Sequence, residues 1–187
     1  VEIKADRSAK YAEVIDIDLS SIEPMIAQPH SPDNVVRVKS LTGTKVDQVC
    51  IGSCTNSSYQ AMKTVASILK GHTVAHSVNL LINPGSRQVY EMIAKEGLTA
   101  DMLAAGARML ESSCGPCIGM GGAPGSGQVS IRSYNRNFKG RSGTKDAFIY
   151  LASPVSCAVF ALRGEIIDPR ESGLGISSFK EPKKYLI

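Results

Sequence analysis

The sequence predicts an α/β protein, a three-layer α/β/α sandwich around a mainly parallel sheet. Short apolar runs alternate along the chain with longer amphipathic stretches, and glycines fall where the helical periods end. Two of the apolar runs lead straight into Gly- and Ser-flanked cysteines, at Cys54 and at Cys114 with Cys117. In such sheets the ligand end is where strands finish and helices begin.

Residues 11–19 alternate apolar and acidic side chains, which predicts a strand with one wet face. Pro24, Pro29 and Pro32 make residues 20–34 a turn-rich connection. Val46 to Gly52 reads as a buried strand. Ser57 to Leu69 reads as a helix, with Ala61, Met62, Val65, Ile68 and Leu69 on one face and Gly71 as its stop. Val78 to Ile82 is a second apolar strand, and Ser86 caps a helix running to Lys95, stopped by Gly97. Leu98 to Ala105 is a short helix closed by Gly106, and Arg108 to Leu110 is a strand. A glycine-rich loop spans Gly115 to Gly127. Phe148 to Ala152 is a strand, Pro154 to Leu162 a helix, and Glu165 to Ile167 ends the regular part. The polar segment from Arg170 onward reads as a linker.

A chain of 187 residues is one sizeable domain, long enough to bury a self-sufficient core. Aromatic residues are only 5% with no Trp, which argues against a stacking platform for single-stranded nucleic acid. The formal charge of +4 comes from scattered side chains, a solvated surface and not a nucleic-acid footprint. No apolar run approaches the roughly 20 residues of a membrane span. The chain opens Val-Glu-Ile-Lys-Ala-Asp, without Met or an apolar signal core, so an excised piece of something larger is expected. Five cysteines without a signal segment suit a reducing compartment, with cytoplasm as the default.

Cys54, Cys114 and Cys117 carry the chemistry. A four-iron cluster is ordinarily held by four thiolates, so three would leave one iron open to water or substrate. Cys-Gly-Pro-Cys alone also admits a thioredoxin-type redox pair or half a zinc site. Gly115, Pro116, Gly119, Gly121 and Gly122 disfavour the regular helix that the redox pair opens. Zinc asks for a second Cys-x-x-Cys or a His pair; position 57 is serine, and His72 and His76 follow Gly71 in turn-like sequence. Zinc stays open on spacing alone. Small residues around the cysteines let backbone wrap a bulky inorganic core and aim amides at its sulfurs. Ser57 or Ser58 reads more simply as a helix cap, and Cys50 and Cys157 as small core residues. His30, in a Pro-flanked turn, has no assigned role.

Asn135-Arg136-Asn-Phe-Lys-Gly-Arg141 is the second informative segment. Arginine forks suit carboxylates or phosphates. Solvated surface arginines are the plain alternative, and their place just after the glycine loop favours a role at the site.

Ile-Gly-Ser-Cys54-Thr-Asn-Ser-Ser-Tyr, Ser-Ser-Cys114-Gly-Pro-Cys117-Ile-Gly-Met and Ser-Tyr-Asn135-Arg136-Asn-Phe-Lys-Gly-Arg141 together resemble the aconitase family. Asn83-Pro-Gly-Ser-Arg and Ser153-Pro fit its pattern too, and the likeness runs from about Glu13 to Arg170. The resemblance implies a cluster-binding domain over residues 1–170, the third of the large part of such an enzyme, with 171–187 leading toward a missing domain. It implies a [4Fe–4S] cluster on Cys54, Cys114 and Cys117, Asn135 hydrogen-bonding at the cluster, and Arg136 and Arg141 holding carboxylates of a tricarboxylate substrate. The implied reaction interconverts citrate and isocitrate through cis-aconitate. Asp–His pairs, further arginines and the serine base would come from domains absent here, so the fragment alone is expected to be inactive. Ser57-Ser58-Tyr59 favours citrate over homoaconitate or isopropylmalate relatives. A non-catalytic metal- or RNA-binding module is the alternative from another class.

Overall fold

The computed structural model describes residues 3–175, together with 179, 182 and 184–186. Among them, seven strands form one sheet: β1 (Met25–Ala27), β2 (Val35–Arg37), β3 (Gln48–Gly52), β4 (Asn79–Asn83), β5 (Arg108–Met109), β6 (Val129–Arg132) and β7 (Phe148–Leu151). Their order across the sheet is β2-β1-β7-β6-β3-β4-β5. The run from β7 to β5 is parallel, and β1 pairs antiparallel with both β7 and β2. Four helices accompany it: α1 (Tyr59–Leu69), α2 (Arg87–Lys95), α3 (Leu98–Ala104) and α4 (Pro154–Arg163). The α/β class with a mainly parallel sheet is what the sequence predicts. None of these helices is long and apolar enough to cross a membrane.

The side-chain period of two divides each central strand between two environments. Val49 and Ile51 of β3, Leu80 and Ile82 of β4, and Ile131 of β6 join the main core. There they meet Met62, Val65 and Leu69 of α1, Ile93 of α2, Met102 of α3 and Phe160 of α4. Each such fully buried aliphatic or aromatic side chain contributes about 1.5–3 kcal/mol. The intervening residues Cys50 and Leu81 face the other way, into a smaller cluster with Leu110, Cys117 and Tyr134. The layer opposite the helices is therefore built by the glycine-rich segment, which contains a 3-10 turn at Gly115–Ile118.

Local chemistry sets the helix ends. The Ser58 hydroxyl accepts from the Ala61 amide to cap α1, and Ser86 does the same for Val89 in α2. Ser153 caps α4 through the Ser156 amide, with Pro154 in the first turn.

Two expectations need correction, and β6 stands where no bounded strand is predicted. Residues 11–19 form no strand, and Tyr11, Val14, Ile15 and Ile17 are exposed. Alternation alone does not make a strand; it needs a hydrogen-bonded partner, and no strand pairing among the described residues includes this segment. The connection 20–34 holds β1, whose three residues between Pro24 and Pro29 gain their order from pairing with β2 and β7. In β6, polar Ser130 and Arg132 mask a strand that is buried on both faces. Part of the expected linker 171–187 (176–178, 180, 181, 183 and 187) lies outside the described residues. Tyr185 meets Tyr59 edge to face at 6.0 Å.

Candidate functional site

Strands β4 and β5 lie to one side of β3, and β6 and β7 to the other. The chain direction across the sheet thus reverses between β3 and β6, and parallel sheets bind ligands beyond the strand ends at that point. The cysteines and arginines singled out from the sequence follow β3, β5 and β6. His72 and His76 precede β4 and so sit at the opposite edge, apart from the cysteines.

Beyond β3 the backbone turns abruptly. Gly52 has φ of +124°, and a Cβ there would collide with the Asn83 carbonyl, so only glycine fits. Ser53 follows with φ of +69°, a left-handed conformation that is costly for a side-chain-bearing residue. This turn brings Cys54 to solvent. The Ser53 amide donates to the Asn83 carbonyl at 3.2 Å.

A polar network holds the strand ends together. The Ser133 hydroxyl accepts from the Gly52 amide at 2.9 Å, and the Ser133 carbonyl accepts from Asn56 Nδ2 at 2.9 Å. The Tyr134 hydroxyl donates to Asn83 Oδ1 at 2.8 Å, while Asn83 Nδ2 donates to the Ser113 carbonyl at 3.2 Å. Burial drives the Tyr134 phenol well above its ordinary value, so it stays protonated and can donate. The segments after β3, β4, β5 and β6 are thereby fixed to one another.

Cys54 and Cys114 line the same cleft, of about 200 Å3, with Ser53, Pro84, Gly85, Ser112 and Ser113. Both are exposed, while Cys117 is buried on the 3-10 turn just behind. All five cysteines are free thiols, and Cys50 and Cys157 are core residues whose thiols burial pushes up. Arg141 reaches Cys117, its Nη2 3.6 Å from the sulfur, and stacks over Phe138 at 5.7 Å. The Arg141 Nε is buried without a hydrogen-bond partner. Asn135 and Arg136 are exposed just past the end of β6. Among the described residues, no three His, Cys, Asp or Glu side chains stand close enough to share a single metal ion.

Several residues of the site carry no motif that marks their role. Ser133 and Tyr134 open the quoted Ser-Tyr-Asn135-Arg136 run, yet their bonds to Gly52 and Asn83 follow only from strand order. Asn83 lies in the quoted Asn-Pro-Gly-Ser-Arg run, yet its bridging role follows only from strand register. Fully buried Arg132 clamps the glycine loop through bonds to the Pro116 and Gly122 carbonyls.

A model of the Aconitase family (aconitate hydratase) matches residues 37–164. The 3-isopropylmalate dehydratase large subunit 2 of Archaeoglobus fulgidus is 44% identical over 171 residues, 91% of this chain and 41% of that protein. The large subunit from Pyrococcus horikoshii is 48% identical over 160 residues, 85% of this chain and 42% of its own length. That of Elusimicrobium minutum is 45% identical over 170 residues, 90% of this chain and 41% of its own. The chain thus spans about two fifths of the length of these relatives.

These names do not support citrate, and the geometry explains why the sequence misled. The citrate preference rests on Ser57, Ser58 and Tyr59, all of which have structural duties. The Ser57 hydroxyl donates to the Ser53 carbonyl, Ser58 caps α1, and buried Tyr59 donates to Glu96. None of the three lines the cysteine cleft, so they do not report on substrate. With the family model matching well over half its length, the chain belongs to the aconitase family.

Proposed function

We propose that this chain is the cluster-binding domain of a hydro-lyase of the 3-isopropylmalate dehydratase type. Residues 1–170 form the domain, and 171–187 lead to the portions that complete the enzyme. The observation that carries the reading is the meeting of Cys54 and Cys114 on one cleft, with the Cys117 amide bonded to the Cys114 carbonyl and its sulfur in contact with Arg141.

The donor set fits a [4Fe–4S] cluster on Cys54, Cys114 and Cys117. Three free thiols supply the soft ligands such a cluster takes. A tetrahedral zinc would draw its thiolates to within about 4 Å of one another. A backbone kept small by glycine around these thiols leaves room for a bulky polynuclear core. The unpartnered Nε of Arg141 leaves donor capacity at the same place. When bound, the cluster supplies an open iron that acts as a Lewis acid on the substrate hydroxyl.

The chain's own residues bind and orient. The substrate named by the relatives has two carboxylates rather than the three of citrate, and Arg136 and Arg141 offer two guanidinium forks. Asn135 supplies an amide for hydrogen bonding at the cluster or substrate. The site's carboxyl-edge placement leaves it open, and Ile118, Met120 and Phe138, on the segments that carry Cys117 and Arg141, are exposed. Apolar groups beside a polar site suit coverage by another portion of the enzyme. The relatives are named as large subunits, which supports a smaller partner supplying the remaining wall and the proton-abstracting base. The overall change removes a proton from one carbon and hydroxide from its neighbour, leaving an alkene and water.

The test is turnover by the assembled enzyme, followed by the ultraviolet absorbance of the unsaturated acid. The expected kcat/KM for 3-isopropylmalate exceeds that for citrate by at least about 100-fold, or about 2.7 kcal/mol of transition-state discrimination. Equal or greater use of citrate would reject the substrate assignment.

A further inference from the structure

Arg132 is the largest of the fully buried side chains, with 0% exposure. Its guanidinium is heavily bonded: Nε donates to Ser130 Oγ at 3.0 Å and Nη1 to the Pro116 carbonyl at 2.5 Å. Nη2 donates to Gln48 Oε1 at 2.9 Å and to the Gly122 carbonyl at 2.7 Å. The ring of Tyr134 lies 5.6 Å away. Every one of these acceptors is neutral, and among the described residues the guanidinium forms no ion pair. Buried charges are ordinarily paired, because a lone one loses several kcal/mol of hydration that neutral dipoles return only in part.

The missing negative charge has one natural location. Cys50, Tyr134 and Cys117 pack together in this layer. Along the chain, Cys117 falls between Pro116 and Gly122, whose carbonyls Arg132 grips. A cluster bound by three thiolates is anionic, since the thiolates outweigh the double positive charge of the oxidised core.

We infer that Arg132 is the built-in counter-cation of an anionic cluster held by Cys54, Cys114 and Cys117, as well as the clamp that fixes the cysteine loop. The inference rests on the cluster reading above and adds to it a positioning residue that touches neither iron nor substrate. A plain loop staple needs hydrogen-bond donors. A counter-cation needs charge, and its removal makes the cluster harder to reduce.

The experiment uses the assembled enzyme, reconstituted anaerobically with ferrous iron and sulfide, comparing wild type with Arg132→Gln and Arg132→Lys. Circular dichroism and urea midpoints report the fold; iron and sulfide content, and the midpoint potential of the cluster, report the charge. In Arg132→Gln the oxidised-to-reduced ratio at fixed potential is expected to rise about tenfold, about 59 mV for a one-electron couple. Arg132→Lys cannot bridge all the acceptors, so its urea midpoint falls, yet its potential stays within about threefold of wild type by the same measure. An unchanged potential in Arg132→Gln, or equal shifts in both variants, overturns the inference and leaves the cluster reading standing. Wild type that takes up no iron or sulfide overturns both. Should Arg132→Gln not fold, Arg132→Lys decides: a wild-type potential in a weakened fold supports the inference, and a tenfold shift rejects it.

Discussion

The Nη2 of Arg141 stands 3.6 Å from the sulfur of Cys117, joining a side chain carried after β6 to a thiol carried after β5. The contact crosses from one side of β3 to the other. An arginine proposed for substrate and a cysteine proposed for iron are therefore neighbours. The same guanidinium retains a buried, unpartnered Nε.

Arg141→Lys keeps the charge and loses the planar fork. In the assembled enzyme kcat/KM for 3-isopropylmalate should fall about 100-fold, about 2.7 kcal/mol, while iron content stays at the wild-type level. Steady-state kinetics with iron analysis on the same samples checks both. An unchanged kcat/KM would remove Arg141 from the substrate site.

The turn after β3 depends on Gly52. Gly52→Ala places a Cβ against the Asn83 carbonyl in a conformation that L side chains rarely adopt. It should destabilise the protein by about 3 kcal/mol or more in urea denaturation. Gly43→Ala, at φ of +89° with open space around it, should cost only about 1 kcal/mol. Similar losses at both positions would show that the close approach to Asn83 is not what demands glycine.

How much of this was readable beforehand depended on whether a role is local. Helix caps are local events: the sequence shows Ser86 directly and narrows the first to Ser57 or Ser58, of which Ser58 is the cap. Cys54, Cys114 and Cys117 stand out because the residues around them are specialised to let backbone come close. The duty of Arg132 arises from pairing: β6 lies beside β3, so Ser130 stands next to Gln48 in register, and nothing in Val-Ser-Ile-Arg announces it. Residues 11–19 fail in the opposite sense, with a good period-two pattern and no neighbouring strand to pair with. Tyr59 is a third kind of miss, a residue within a recognised motif whose side chain points into the core.

Tyr134→Phe tests the network at the strand ends. It leaves Asn83 Oδ1 without the donor it has at 2.8 Å. A loss of about 1–3 kcal/mol in chemical denaturation is expected from the unsatisfied acceptor. A neutral substitution would mean that the bond does not hold the β4 and β6 ends together.

Asp168 is buried and accepts from the Arg170 amide, Nε and Nη2, and this partner holds its carboxyl below the usual range. A carboxyl lowered in the folded state stabilises fully above its unfolded value of about 3.9 and loses that contribution as pH falls through the folded value. Urea midpoints of wild type should therefore drop below about pH 4 more steeply than those of Asp168→Asn. Parallel pH profiles would show that the pair carries no such linkage.

The central claim is that three thiols hold an iron–sulfur cluster with one iron left open. Anaerobic iron and acid-labile sulfide quantitation with EPR, on the assembled enzyme and its Cys54→Ser, Cys114→Ser, Cys117→Ser and Cys157→Ala variants, tests it most directly. The account predicts about four irons per chain in wild type and in Cys157→Ala, with one iron readily lost on mild oxidation. Each of the three serine variants should fail to retain the cluster. Full iron content in any of those three, or a wild type that binds one zinc in place of iron and sulfide, would contradict it.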